Sequence, residues 1–208
     1  MKHPAKYNDK FSSFFKTILQ DRNLILDPFA GTGKLRQLLS QEVICLEIEP
    51  EWATDIIGNA LYLPFKDESF DAICTSPTYG NRMADSFNDK QPEKHYVRNT
   101  YTHSIGRKLH PDNSGQMQWG VNYRNFHKSA WKESIRVLKP NGVFCLNIKD
   151  HIRNGIIQPV TDWHISVLEY YGLKLIHHHK IPISGLKYGS NTQRIEYESI
   201  IEFIKFTS

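Results

Sequence analysis

Asp27-Pro28-Phe29-Ala30-Gly31-Thr32-Gly33 and Thr75-Ser76-Pro77-Thr78-Tyr79-Gly80 decide how this chain folds. The first stretch follows the apolar run Leu24-Ile25-Leu26. The second ends the run Phe70-Asp71-Ala72-Ile73-Cys74. Each therefore predicts a loop leaving the carboxyl end of a buried strand. That edge is where open parallel α/β sheets bind their ligands.

Working outward, strands and helices alternate. Leu24–Asp27 predicts a first strand, and Leu35, Leu38 and Leu39 mark the helix after it. Val43-Ile44-Cys45-Leu46-Glu47 predicts a second strand, with a short helix opening at Pro50-Glu51-Trp52. Phe70–Thr75 is a further strand. Upstream, Phe11, Phe14, Phe15, Ile18 and Leu19 recur at helical spacing. Downstream, Trp131, Ile135 and Leu138 place a helix over 126–138. Lys139-Pro140-Asn141-Gly142 should stop it. Strand Val143–Ile148, helix Val160–Tyr171 and strands Leu173–Ile181 and Glu196–Phe206 complete the pattern. The long Gly/Ser/Asn-rich loop between the last two strands suggests a closing antiparallel hairpin. The rhythm predicts a doubly wound, mostly parallel sheet.

The chain has 208 residues, enough for one domain with a real core. Its net charge of +4 is compatible with a polyanionic partner but does not require one. Cys45, Cys74 and Cys145 lie inside apolar runs without CxxC spacing, which predicts buried thiols in a reducing compartment. No signal-peptide pattern and no apolar run of about eighteen residues is present, so the expected location is cytoplasmic, without a membrane partner.

The first loop lets backbone approach a ligand closely, because Gly31 and Gly33 carry no Cβ. Glu47 ends the second strand twenty residues after Asp27. An acid at that place accepts hydrogen bonds from ribose hydroxyls. Arg36 stands where a dinucleotide fold wants a third glycine. That disfavours a pyrophosphate and favours a cofactor with one ribose and a zwitterionic tail. The second loop suits an exocyclic amine, whose lone pair is delocalised into its ring. Acceptors at Ser76 Oγ and the Pro77 carbonyl would favour a pyramidal nitrogen. Tyr79 could stack on the face of a flipped base, and fixed geometry would carry much of the rate.

These motifs resemble the amino-group class of S-adenosylmethionine-dependent DNA methyltransferases. Asp27–Gly33 resembles that family's cofactor loop, and the segment from Cys45 to Trp52 resembles the one carrying its ribose-binding acid. Asn59-Ala60 with Leu63-Pro64-Phe65 resembles its third motif, with Asn59 at the adenine. Ser76-Pro77-Thr78-Tyr79 resembles its Ser/Asp/Asn-Pro-Pro-aromatic tetrad, with Thr78 replacing the second proline. His3-Pro4-Ala5-Lys6 with the Phe-rich helix resembles the motif closing over the methionine end. Arg136–Gly142 resembles the superfamily's turn into its fifth strand. The stretch from Ser76 to Asp85, with Arg98–Tyr101 and Gln118-Trp119-Gly120, is similar to small orphan enzymes of phages and mobile elements.

The resemblance implies a class I methyltransferase, Rossmann-like α/β fold, with a mostly parallel seven-stranded sheet and a final antiparallel strand. It implies methylation of DNA, at cytosine N4 in preference to adenine N6, with Ser76, Pro77, Thr78 and Tyr79 catalytic. It implies that S-adenosylmethionine is held by Lys6, Tyr7, Asp27, Phe29, Ala30, Gly31, Thr32, Gly33, Glu47, Ile48, Asn59, Ala60 and Leu61. An RNA guanine-N2 methyltransferase of the same fold and a catalytically silent nucleic-acid-binding module are the alternatives.

Residues 80–124 break the strand–helix rhythm and mix cations with aromatics. A segment this long is usually functional or disordered, and its aromatic content argues against disorder. It is expected to act as a lid that contacts the target. Arg82, Arg98, Tyr101, Arg107, Lys108, Trp119, Arg124 and, from the later loop, Lys187 are the expected nucleic-acid contacts. His177-His178-His179 lies in a strand where successive side chains alternate faces. All three cannot reach one ion, so no metal is expected.

Overall fold

The computed structural model describes residues 9–80, 101, 105–183 and 195–206. The first strand, β1 (Leu24–Asp27), lies inside the sheet. It pairs in parallel with β2 (Glu42–Glu47) on one side and β4 (Phe70–Thr75) on the other. Central strands are covered on both faces, which is why Ile25-Leu26 and Ala72-Ile73-Cys74 run apolar without alternation. The short β3 (Ile56–Ile57) extends the sheet beyond β2, and β5 (Leu138–Ile148) pairs in parallel with β4. The last two strands, β8 (Leu173–Pro182) and β9 (Tyr197–Lys205), form the antiparallel hairpin. Here β9 inserts between β5 and β8, giving the order β3-β2-β1-β4-β5-β9-β8. The seven-stranded, mostly parallel sheet is as expected.

Helices cover both faces. On one, α1 (Asp9–Leu19) buries Phe11, Phe15 and Leu19 against Ile25, Val43 and Ile200, with Leu35 of α2 (Lys34–Leu38) beside them. On the other, α3 (Val121–Val137) and α4 (Val160–Tyr170) pack Trp131, Val137, Val160 and Leu168 onto Leu26, Ile73, Leu146 and Phe203. No helix among the described residues is long and apolar enough to cross a membrane.

Three local expectations change. The helix expected from Phe126 begins at Val121, because Tyr123 is also fully buried on its inner face. Pro140-Asn141-Gly142 does not separate helix from strand. The helix ends at Val137, Leu138 already pairs with Phe70, and the turn residues form an irregularity within β5, with Asn141 at φ 60°. Around Pro50-Glu51-Trp52 there is a turn, in which Trp52 and Ala53 N–H both donate to the Glu49 carbonyl. A separate two-stranded ribbon, β6 (His151–Arg153) and β7 (Ile156–Gln158), was not anticipated. Its turn places Asn154 at φ 51° and Gly155 at φ 75°, the double left-handed geometry of a tight hairpin.

Because β2 lies on one side of β1 and β4 on the other, the strand order reverses between β1 and β4. Their carboxyl ends are adjacent, so the glycine loop and the Ser-Pro loop flank one crevice. That is the switch point at which such sheets bind ligands.

Candidate active site

Asp27 ties the two loops together at their roots. Its Oδ1 accepts from Thr75 Oγ1 at 2.7 Å and from Phe29 N–H at 3.1 Å. The side chain is buried, and burial pushes its pKa up to about 7. Asp27 is absent from the cleft wall and holds the frame beneath it.

The glycine loop needs its glycines. Gly31 and Gly33 sit at φ 52° and 66°, in the left-handed region. A Cβ on Gly33 would fall 2.9 Å from Thr54 Oγ1. Gly31 N–H donates to Glu47 Oε2 at 2.8 Å. Glu47 Oε1 takes Ile48 N–H and Glu49 N–H, both at 3.0 Å. The carboxylate thus fills three of its roughly four acceptor positions with backbone, and it still lines the cleft. Burial raises its pKa, opposed by these hydrogen bonds.

The two loops wall a cleft whose lining mixes apolar and polar side chains. Of the residues expected at the site, Phe29, Gly31, Glu47, Ile48, Asn59, Ala60, Ser76, Pro77, Thr78 and Tyr101 line it. Ala30, Thr32, Gly33, Leu61 and Tyr79 are near in sequence but are not on its wall. Sequence reasoning missed Trp52, Asp112, Asn113, Ser114 and Phe126, which are. Asn59 is fixed from both ends of its amide: Leu61 N–H donates to Oδ1, and Nδ2 donates to Asp112 Oδ2, each at 2.9 Å.

Thr78 stands where the expected tetrad has a second proline, and hydrogen bonds hold the Ser-Pro loop instead. Trp131 Nε1–H can only donate, and it donates to His164 Nδ1 at 2.8 Å. Burial holds His164 neutral by lowering its pKa. Its proton is therefore on Nε2, which faces Tyr123 Oη at 3.0 Å. Tyr123 O–H in turn donates to the Thr78 carbonyl at 2.7 Å. Thr78 Oγ1 also reaches Ser114 Oγ at 3.0 Å, and Trp119 N–H donates to the Gly80 carbonyl at 2.8 Å. The loop is clamped from α3, α4 and the segment before α3. Tyr123→Phe is expected to remove about 1–3 kcal/mol of stability, because it strands the Thr78 carbonyl and the His164 N–H. Urea denaturation checks this; an unchanged midpoint and slope would show that the clamp is idle.

A second chain runs from the cleft into the hairpin. Tyr79 Oη lies 3.2 Å from Ser76 Oγ and donates to the carboxylate of Glu198 on β9, with Asn147 Oδ1 at 3.5 Å. Burial, then the nearby Glu198 charge, raises the Tyr79 pKa well above the usual phenol range, so Tyr79 keeps its proton. With that proton pointed at Glu198, the phenol oxygen is left to accept from Ser76 Oγ, and Ser76 itself lines the cleft. Glu198 and Asn147 were not expected at the site.

Tyr101 and residues 105–120 pack beside the end of β2, and Tyr101, Asp112, Asn113 and Ser114 complete the cleft wall there. Tyr101 packs edge-on to Trp52, with ring centroids 5.7 Å apart. Arg107, expected to meet nucleic acid, pairs with Glu51 at 2.6 Å and with buried Glu49 at 2.8 Å. Glu49 Oε1 accepts from His110 N–H and Asn113 Nδ2. Arg107 is thus engaged in fastening this segment to the end of β2. Lys108 is exposed. Arg124 lies over the Trp119 ring at 5.3 Å, and Trp119 is itself packed against Tyr123 and Trp163. Lys6, Tyr7, Arg82, Arg98 and Lys187 lie outside the described residues.

This fold recurs among solved structures. NodS, an N-methyltransferase of Bradyrhizobium japonicum WM9, superposes with a TM-score of 0.57 at 10% identity, covering 96% of each chain. A SAM-dependent methyltransferase of Methanosarcina mazei gives 0.55 at 15% identity, covering 94% of this chain and 98% of its own. The fold is that of the class I methyltransferases. The cyclase SpnF shares it too, with a TM-score of 0.57 at 12% identity over 96% of this chain and 82% of its own, so the fold alone does not name the reaction. No protein-family model matches the sequence, and no curated protein does so either.

Proposed function

We propose that this chain methylates an exocyclic amine of a DNA base, cytosine N4 in preference to adenine N6, using S-adenosylmethionine. The observation that carries the reading is the chain Ser76–Tyr79–Glu198. With Tyr79 donating to Glu198, its oxygen is left to accept the Ser76 proton, which supports a serine oxygen on the cleft wall that acts as an acceptor.

The residues present fit the cofactor. Glu47 stands on the wall at the end of β2 with an acceptor position to spare for a ribose hydroxyl. Ile48, Ala60 and Phe126 supply apolar wall for a purine, and Asn59 with Asp112 supplies polar edges. Gly31 keeps the floor clear of a side chain. When bound, the cofactor supplies an electrophilic methyl group.

The chain's own residues handle the amine. Ser76 Oγ and the Pro77 carbonyl accept its N–H groups and free its lone pair. The proton released on methylation passes to Ser76, while the serine proton moves to Tyr79 and the tyrosine proton to Glu198. No atom of the relay changes its bonding except to hydrogen. Glu198 ends the step as the protonated acid. Trp119, Arg124 and Lys108 are the described candidates for contacts to DNA.

Nucleoside mass spectrometry of DNA and RNA from cells expressing the protein tests this. The expected result is N4-methylcytosine, or N6-methyladenine, in DNA with the intact chain and not with Ser76→Ala. A new methylguanosine confined to RNA would move the substrate to guanine N2. No mark in either would leave a binding module or a small-molecule enzyme.

A further inference from the structure

His177 and His179 share one face of β8 with Glu202 of β9 opposite, and the sheet itself arranges this. Leu173 and Leu175 pack with Val167 and Leu168, on the α4 face. After the irregularity between Leu175 and His177 the parity reverses. Ile181 then packs with Phe11 and Phe15, on the α1 face, as does Ile200. His177, His179 and Glu202 follow that same parity. The Phe14 ring of α1 lies 5.1 Å from the His179 ring, while His178 turns to Ser199 Oγ at 2.9 Å. Register places His177 directly across from Glu202, and His177 Nδ1 lies 3.0 Å from Glu202 Oε2.

We propose that His177, His179 and Glu202 bind a divalent transition metal of the zinc type in the groove between α1 and the β8–β9 hairpin. One ligand atom from each residue lies within 4.8 Å of the other two. In a tetrahedral zinc site, with bonds of about 2.0–2.1 Å, donor atoms are about 3.3 Å apart. Side-chain rotation covers that difference, since the His177 side chain is 61% exposed. The two imidazole rings are 5.5 Å apart and 27° from parallel, so both edges can turn to one point. Two imidazoles and a carboxylate suit zinc, nickel, cobalt or copper far better than magnesium or calcium. The metal takes the place of the proton between His177 and Glu202, and a solvent molecule completes its shell. Asp21 and Arg22 also line the groove, one charge of each sign. The site joins two strands and leaves the cleft untouched.

Calorimetric titration of the full chain with zinc chloride tests the site. The expected result is one saturable equivalent of about micromolar affinity, weakened about tenfold or more in His179→Ala and in Glu202→Gln. His178→Ala, on the opposite face, should bind as the wild type does. Zinc should also raise the melting temperature of the wild type and of His178→Ala but not of His179→Ala, with far-ultraviolet dichroism confirming that each variant is folded. No saturable binding, or an affinity equal in wild type, His179→Ala and Glu202→Gln, would overturn the proposal.

Discussion

Ser76→Ala is expected to lower turnover by about 100-fold or more, the range for loss of a proton-accepting group, with cofactor affinity essentially unchanged. The hydroxyl is fixed by what lies behind it. Tyr79 keeps its proton and points it at Glu198 as a hydrogen-bond donor, so toward Ser76 the phenol oxygen can only accept. Tyr79→Phe removes that acceptor, and Glu198→Gln removes the negative end of the chain. Each should cost about tenfold or more in turnover. The three side chains act as a unit, so their losses should not add. The double variant Ser76→Ala/Glu198→Gln should be no slower than Ser76→Ala alone. Single-turnover rates on methylated product, with calorimetric binding of S-adenosylmethionine, separate catalysis from binding. Wild-type turnover in Ser76→Ala would end the role given to Ser76. Fully additive losses would break the relay while leaving each residue a separate task.

The sheet was legible because its central strands are buried on both faces and so write near-continuous apolar runs. The two loops were legible because the conformations they need restrict the residues: Gly31 and Gly33 must adopt positive φ. What the sequence hides is the neighbour across the sheet. Glu198 meets Tyr79 only because β9 lies beside β5, and the two residues are 119 positions apart. Arg107 read as a free cation because composition counts charges without their partners, here Glu49 and Glu51. Alternation along a strand separates His178 from His177 and His179, as its bond to Ser199 shows. It says nothing against His177 with His179, and it cannot reveal a glutamate on the next strand. Asn154-Gly155 was a visible hairpin signal, but three residues on either side leave too little alternation to support it. The stiffness supplied to Thr78 by Tyr123, His164 and Trp131 has no local signature at all, since α3 and α4 contribute it from far along the chain.

Asp27→Asn is expected to stabilise the protein at pH 8 by up to about 4 kcal/mol and to do little at pH 4. Burial raises the Asp27 pKa from 3.8 to about 7. The folded state therefore holds a proton that the unfolded state releases. Stability associated with this carboxyl is complete below its unfolded pKa and is lost as pH rises to about 7. His127 works in the opposite sense. Burial lowers its pKa from 6.5 to about 4, so its contribution is complete above 6.5 and is lost as pH falls toward 4. The two trends oppose each other over the same window, so the wild-type curve alone cannot separate them. The difference between variant and wild type can, because His127 cancels. Asparagine keeps an oxygen for Thr75 O–H and Phe29 N–H, so both loop roots stay tied. Urea denaturation at pH 4.5, 6, 7 and 8 should show the difference growing with pH and levelling above about 7. A constant offset across those values would assign the effect to altered hydrogen bonding and place the Asp27 titration near that of an ordinary carboxyl. A rising difference would mean that the residue joining the glycine loop and the Ser-Pro loop is held there against the cost of its own charge.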